Sequence, residues 1–488
     1  MRFNSTTFLA FLALVVIGLW LLPARFRKHW LLLAGFTFYG SWQAKYLGLL
    51  FGVAASGYFG GRWILSSAEK AVRKQRGFVV IGLNVFLLAL FKYLDWFVEN
   101  VNGVAGLVGA DLALTPPGWI LPLGISFYIF QNISYLADCV KKKTKQYGFW
   151  EYQLFIGFFP QLIAGPIMRA KEFFGSLETH ERPGILEVRD GIYRISTGLF
   201  YKIVLADSIA LQVDAAFAKQ TESLASADVI FMTMGFALQM YFDFASYSHI
   251  AIGAGKLCGI DLVENFKFPF SAQSPSDFWN RWHMSLSRWV RDYLYFPLLG
   301  RRLTLKAMCK ASVIGMTICG LWHGANWTFV VWGFYLGVLL AANYAWEAWR
   351  RKKAGKGFVK KQIDPSKTPF TLGMVFTSVL LFPGWLLFRA SSLSHAGELL
   401  FTVVTPWANS VRSLGGTFYL HVAVLMMWVW LTPYCLRVAR ETSERFSYKL
   451  NGYGRLVASA GYGSVVGAQL VFCTLYFKSQ TTFIYFQF

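Results

Sequence analysis

Charge is scarce in this chain. Asp, Glu, Lys and Arg make up 15% of its 488 residues, where a soluble protein carries about 25%. With hydrophobic residues at 55% and a mean hydropathy of +0.43, that deficit excludes the two or three soluble domains that length alone would allow. Cysteine is also sparse. Cys139, Cys258, Cys309, Cys319, Cys435 and Cys473 are scattered, mostly within apolar runs and without CxxC spacing, so neither a disulfide framework nor a metal site is expected. No internal repeat is evident, which weakens a reading as an inverted-repeat transporter. The first apolar run lacks the marks of a cleaved signal peptide: only Arg2 precedes it, its basic cluster follows it, and no small-residue cleavage site is apparent. It is read as the first helix.

Long apolar runs, by contrast, recur: 7–22, 78–94, 229–252, 327–344, 370–388, 421–436 and 457–476. Each approaches the roughly 20 residues that cross a bilayer core of about 30 Å. The net charge of +22 is not a nucleic-acid footprint, because the basic residues sit in short loops between these runs. The clusters are Arg25–Lys28, Lys70–Arg76, Lys141–Lys145, Arg301–Lys306, Arg350–Lys361 and Arg437–Lys449, and the positive-inside rule makes them cytoplasmic. Parity then places both termini outside, reads 30–65 as an out-and-back pair, and brings 119–136 back to the Lys141–Lys145 loop. About eleven spans fit. The expected fold is an all-α polytopic membrane protein, with re-entrant and amphipathic helices beside the spans. It forms one integral-membrane domain over 1–488: N-terminal spans in 1–120, a core in 121–344, and C-terminal spans in 345–488.

The core departs from plain helices. FFPQLIAGPI (Phe158–Ile167) carries two prolines and a glycine, and LPLGISF (Leu121–Phe127) one of each. Broken backbone at membrane depth must be buried in protein or line a cavity, so these are simple kinks or re-entrant segments. Between Ser274 and Pro297, Trp279, Trp282, His283, Leu286, Trp289, Val290 and Tyr293 recur at three- and four-residue steps. That spacing predicts one amphipathic helix, capped by Ser276, with Asp277 at the positive end of its dipole. His283 falls on its aromatic, inward face.

Polar groups inside apolar runs are expensive and point to function. They are His323 in GLWHGANW, His283, Asp243 and His249 in QMYFDFASYSHIAIG, Gln131 and Asn132 in IFQNISY, and Gln161. A buried histidine stays neutral and so accepts a proton from a hydroxyl; it is equally the form a packed structural histidine takes. The glycines around Trp322–His323 suit close approach of a substrate or of another helix.

DFWNRWHMSLSRWVRDYLYFPLLG followed by GLWHGANWTFVVWG closely resembles the membrane-bound O-acyltransferase family, in the bacterial branch that serves alginate O-acetylation and teichoic-acid D-alanylation. LPLGISFYIFQ, FFPQLIAGPI, YFDFASYSHIAIG, NFKFPF, GWLLFRA and the terminal FIYFQF are similar to the same branch. The resemblance implies about eleven spans and re-entrant segments around a central funnel, whose narrow end brings a cytoplasmic acyl donor to the catalytic histidine. That histidine matches His323, as general base, and the family's second characteristic polar position matches His283, which, or the polar groups around it, would position the donor or stabilise charge. Candidate donor- or substrate-binding residues are Trp282, Arg288, Arg291, Trp322, Asn326, Asp243 and Gln131. The arginines are read as partners for phosphates of coenzyme A or of a carrier protein. Tyr485 in FIYFQF is a candidate acyl relay on the outer side; an aromatic belt at the interface is the plainer reading of that tail. The implied donor is acetyl-CoA or an acylated carrier protein, with no permanently bound cofactor and no metal. The implied setting is the bacterial inner membrane, with a periplasmic acetyltransferase of the SGNH type, a polysaccharide biosynthesis complex and a polysaccharide acceptor as partners, and no nucleic acid.

The expected function is thus O-acetylation of an exopolysaccharide or cell-wall polymer, alginate-like in preference. Two alternatives use the same features. A transporter or flippase of polymer precursors would need paired intramembrane carboxylates or a symmetric cavity. A noncatalytic scaffold of a secretion complex would tolerate loss of His323.

Overall fold

The computed structural model describes residues 1–110, 112–179, 182–300, 303–354, 367, 370–407, 411–449 and 454–476. Among the described residues all regular structure is helical and no strand is present. That follows from the medium: hydrocarbon offers backbone amides no partner, so each segment satisfies its own. Six helices among the described residues are long and apolar enough to cross a membrane, at 70–107, 226–257, 305–323, 327–354, 372–389 and 416–439; Thr6–Leu21 and Leu393–Val404 are apolar but shorter. The protein is an all-α polytopic membrane protein.

The chain forms two compact units. The first comprises residues 1–195 and 247–263. It contains α1 (Thr6–Leu21), α2 (Ala24–Gln43), α3 (Leu47–Leu65), α4 (Lys70–Leu107), α5 (Ile125–Val140), α6 (Phe149–Gly157), α7 (Phe159–Leu162), α8 (Ala170–Glu178) and most of α9 (Ile185–Phe200). Residues 30–65, expected as an out-and-back pair of spans, fall in two helices, α2 and α3, neither of which is among the six long and apolar enough to cross a membrane. Where a span was expected at 119–136, α5 begins only at Ile125, after Gly124 in a left-handed backbone (φ 72), and runs 16 residues; it is not among the helices long and apolar enough to cross a membrane. A Cβ on Gly124 would lie 2.4 Å from the Leu162 carbonyl oxygen, so glycine is required by both conformation and space. The break expected in FFPQLIAGPI is real. Helix α6 ends at Gly157, α7 ends at Leu162, and residues 163–169 are non-helical, with 158–168 wholly buried. Gln161 belongs to this break; its Nε2 donates to the Phe155 carbonyl at 2.6 Å.

Asn132 is the polar hub of this unit. Its Nδ2 donates to Val53 O (3.0 Å) and Asn84 Oδ1 (2.8 Å), and its Oδ1 accepts from the Tyr152 hydroxyl (2.6 Å). One side chain therefore ties α5 to α3, α4 and α6. A buried polar group that loses its partner costs about 1–3 kcal/mol. Asn132→Leu is accordingly expected to lower the melting temperature of the detergent-purified protein by a few degrees, on the order of 2–5 °C; an unchanged melting curve would remove the hub from the stability argument.

The second unit comprises residues 196–246 and 264–488. It contains α10 (Asp207–Phe217), most of α11 (Ser226–Leu257), α12 (Pro275–Trp279), α13 (Met284–Val290), α14 (Phe296–Leu299), α15 (Leu305–His323), α16 (Trp327–Ala354), α17 (Leu372–Arg389), α18 (Leu393–Val404), α19 (Gly416–Lys449) and α20 (Gly454–Tyr476). Three residues join α15 to α16, so the two helices form an antiparallel hairpin. They approach backbone to backbone: a Cβ on Gly320 would lie 2.2 Å from Phe329 O and 2.9 Å from the Gly333 Cα. Small residues at such crossings are how helices pack when lipid supplies no hydrophobic drive. The glycines beside His323 are thus used by the neighbouring helix.

The single amphipathic helix expected between Ser274 and Pro297 is not formed. The segment breaks into α12, a turn at 280–283, α13, a π-helical stretch Arg291–Tyr295, and α14. Its first cap is Ser274, not Ser276: the Ser274 hydroxyl accepts from Asp277 N at 3.2 Å, with Pro275 following. The break has an identifiable cause. Met284 N donates to Asn265 O (2.8 Å) and Ser285 N to Asn265 Oδ1 (3.3 Å), so these amides leave the helical ladder for a tertiary partner. His283 takes up the turn with a left-handed backbone, φ 40, and is almost wholly buried.

Candidate active site

His323 ends α15 at the bottom of the hairpin, where Gly324 leaves the helix in extended conformation. Rings enclose its imidazole on three sides: Trp322 at 4.8 Å, Trp332 at 5.0 Å and Phe388 at 5.2 Å between centroids. Only 8% of the residue is exposed. This aromatic cage leaves the ring little contact with bulk solvent.

His283 is positioned differently. Its Nδ1 lies 3.0 Å from Asn265 Oδ1, the oxygen that also accepts from Ser285 Oγ at 2.8 Å. Phe244 meets the ring edge-to-face at 4.6 Å. Burial pushes the His283 imidazole down to about 3, so it is neutral through the physiological range.

Both histidines line one cavity of about 30 Å³, walled by Trp279, Trp282, Trp332, Trp385 and Phe388. That is room for about one water molecule, or for the reacting end of a longer ligand. A wider cavity of about 310 Å³ is lined by Arg288, Arg291, Asn280, Ser287, Tyr295 and Tyr344, among others, and Trp279 lines both. A small aromatic chamber with two imidazoles therefore shares a wall with a larger one carrying two guanidinium groups.

The other candidates fall in several places. Trp282 lines the small chamber, Arg288 and Arg291 the large one, and Trp322 meets His323 edge-to-face. Asn326 is not a wall residue; its Oδ1 accepts from Thr328 N (2.9 Å) at the start of α16, and its Nδ2 donates to Ser391 O (3.2 Å). Asp243 lies in a buried ion cluster, 2.7 Å from Lys202 Nζ, which also meets Asp207 at 2.9 Å; it lines neither cavity. Gln131 is buried on α5 in the first unit. His249, also in that unit, has its Nδ1 3.3 Å from an Arg194 guanidinium nitrogen. Tyr485 lies outside the described residues. Sequence reasoning passed over Asn265, Trp332, Trp385 and Phe388 as site residues, although NFKFPF contains the first and GWLLFRA the last two. It also overlooked Lys202 and Asp207, which with Asp243 supply two buried carboxylates on one lysine.

Residues 5–384 match the membrane-bound O-acyltransferase family. A probable alginate O-acetylase, AlgI, of Pseudomonas putida is 31% identical over 506 aligned residues, covering 100% of both chains. A peptidoglycan O-acetyltransferase of Helicobacter pylori is 34% identical over 433, covering 82% of this chain and 79% of its own. A teichoic acid D-alanyltransferase of Streptococcus thermophilus is 30% identical over 349, covering 66% and 80%. Two buried histidines on one chamber, in a helical membrane chain matched along most of its length, lead to one conclusion: this chain belongs to the membrane-bound O-acyltransferase family and is a membrane O-acyltransferase.

Proposed function

We propose that this chain takes an acetyl group from a cytoplasmic thioester, acetyl-CoA or an acylated carrier protein, and passes it across the bacterial inner membrane for O-acetylation of an exopolysaccharide or cell-wall polymer, alginate-like in preference. The observation that carries this reading is the shared wall between the two-histidine chamber and the two-arginine cavity. Acetyl is favoured over D-alanyl because the alginate and peptidoglycan relatives align over more of the chain than the D-alanyl relative does.

In the transfer, an acceptor hydroxyl attacks the thioester carbonyl. Its proton goes to His323, the new C–O bond forms as the C–S bond breaks, and the proton then passes to the departing thiolate. Tyr485 is the acceptor we favour, its phenolic ester carrying the acetyl group to a periplasmic SGNH-type transferase that works with the polysaccharide complex. Cells lacking the chain are expected to make polymer without alkali-releasable acetate, and the chain supplied in trans to restore it. Normal acetate in its absence would defeat the proposal. Intact-protein mass spectrometry of trapped wild type is expected to find an acetyl ester that Tyr485→Phe abolishes; the same ester on the variant would exclude the relay.

Arg288 and Arg291 are read as holding donor phosphates, and a hydrogen bond to a charged group contributes about 1.5–3 kcal/mol. Replacing both by alanine is therefore expected to raise the KM for acetyl-CoA by about tenfold or more, with kcat little changed, in transfer assays on inverted membrane vesicles. An unaltered KM would place the donor elsewhere.

A further inference from the structure

The turn that carries His283 is held from one neighbouring residue. Asn265 is fully buried, and its main-chain oxygen receives the Met284 amide at 2.8 Å. Its side-chain Oδ1 faces three groups at once: Ser285 N at 3.3 Å, Ser285 Oγ at 2.8 Å and His283 Nδ1 at 3.0 Å. A backbone N–H can only donate, so the Asn265 atom opposite it is the carbonyl oxygen and not the amide nitrogen. An amide oxygen can only accept. The ring nitrogen 3.0 Å from it therefore carries a proton, and a neutral imidazole protonated on Nδ1 has a lone pair on Nε2. Main chain and side chain of Asn265 thus constrain both the left-handed backbone at His283 and its tautomer. A non-glycine residue in that backbone region persists only where its surroundings over-determine it, and such positions cluster at active sites.

We propose that Asn265 is a positioning residue for acyl transfer: it holds His283 with the ring proton on Nδ1, so that His283 meets the reactants through an unprotonated Nε2, as a hydrogen-bond acceptor. This rests on the acyl-transfer reading and sharpens it. In this tautomer His283 does not donate through Nε2 to the developing oxyanion. It receives an O–H or N–H, from the acceptor hydroxyl or from an amide of the donor's arm, and so orients one reactant while His323 takes the proton.

The test is the 15N spectrum of the full-length protein labelled at histidine. The chain has seven histidines, and His283→Gln identifies the resonances of interest. The expected result is a protonated, pyrrole-type Nδ1 and a pyridine-type Nε2 at His283. The reverse pattern would overturn the proposal, and this measurement needs no variant of Asn265. Asn265→Ala is then expected to mix the tautomers and lower kcat by about 10- to 100-fold. Asn265→Asp keeps the accepting oxygen and is expected to restore the Nδ1–H tautomer and most of the activity. Equal losses in the two variants, with the wild-type tautomer retained in both, would reduce Asn265 to a packing residue. If instead cells lacking the chain kept normal polymer acetylation while His283 showed Nδ1–H, the acyl-transfer reading would fall and the Asn265–His283 hydrogen bond would stand.

Discussion

His323→Ala and His323→Gln are each expected to lower polymer acetylation by about 10²–10⁴-fold with membrane abundance near wild type, the range a positioned general base contributes. The pair of variants is needed because His323 is also a packed residue. Its ring contacts Trp322, Trp332 and Phe388, so alanine enlarges a chamber that already holds about 30 Å³ of empty space, and part of its effect is a cavity effect. Glutamine roughly preserves volume and hydrogen-bonding capacity but cannot take up a proton near neutral pH. Loss in both variants identifies proton transfer as the function of the ring. Activity kept by glutamine would return His323 to a structural role. The pH profile adds an independent check. His283, held down at about 3 by burial, contributes no inflection in the range about 5–8 where histidines ordinarily titrate. An acid limb in that range that persists in His283→Gln therefore belongs to another group.

Gly320→Leu is expected to remove most folded protein from the membrane. A Cβ at this position would stand 2.2 Å from the Phe329 carbonyl oxygen and 3.0 Å from the Gly333 nitrogen. Both are backbone atoms, which cannot rotate aside as a side chain would. The two helices would have to separate along the crossing that presents His323, one turn away, to the chamber. Overpacking typically costs about 1–3 kcal/mol, and with no flexible neighbour to yield the cost falls at the upper end or beyond. Gly315 is the control on the same helix: the nearest atom to a Cβ there is Val290 Cγ1 at 4.0 Å, so Gly315→Ala is expected to be tolerated or mildly stabilising, since alanine favours helix by about 1 kcal/mol over glycine. Thermal melts and membrane yields of the two variants check both expectations; similar behaviour would mean that the α15–α16 approach is not what glycine serves at position 320.

The sequence by itself determined the class of the molecule. Low charge, repeated apolar runs and basic loops leave a helical membrane protein as the one economical outcome, because a peptide group in hydrocarbon must find its partner within its own segment. His323 and His283 also stood out unaided, since a titratable ring among tryptophans is conspicuous in one dimension. What only the tertiary structure decided was how these residues meet. Periodicity drew 274–297 as one helix, and it failed where Asn265, nearly twenty positions away, captured the Met284 and Ser285 amides. Asp243 and Asn132 looked equally functional in the sequence, and neither lines the chambers: one sits in an ion cluster with Lys202, the other in a hydrogen-bonded hub. Trp385 and Phe388, unremarkable on α17, become chamber walls. Burial cost is a property of a single residue and can be read along a chain, whereas hydrogen-bond partners and cavity walls depend on distance in space, which only the packed helices define.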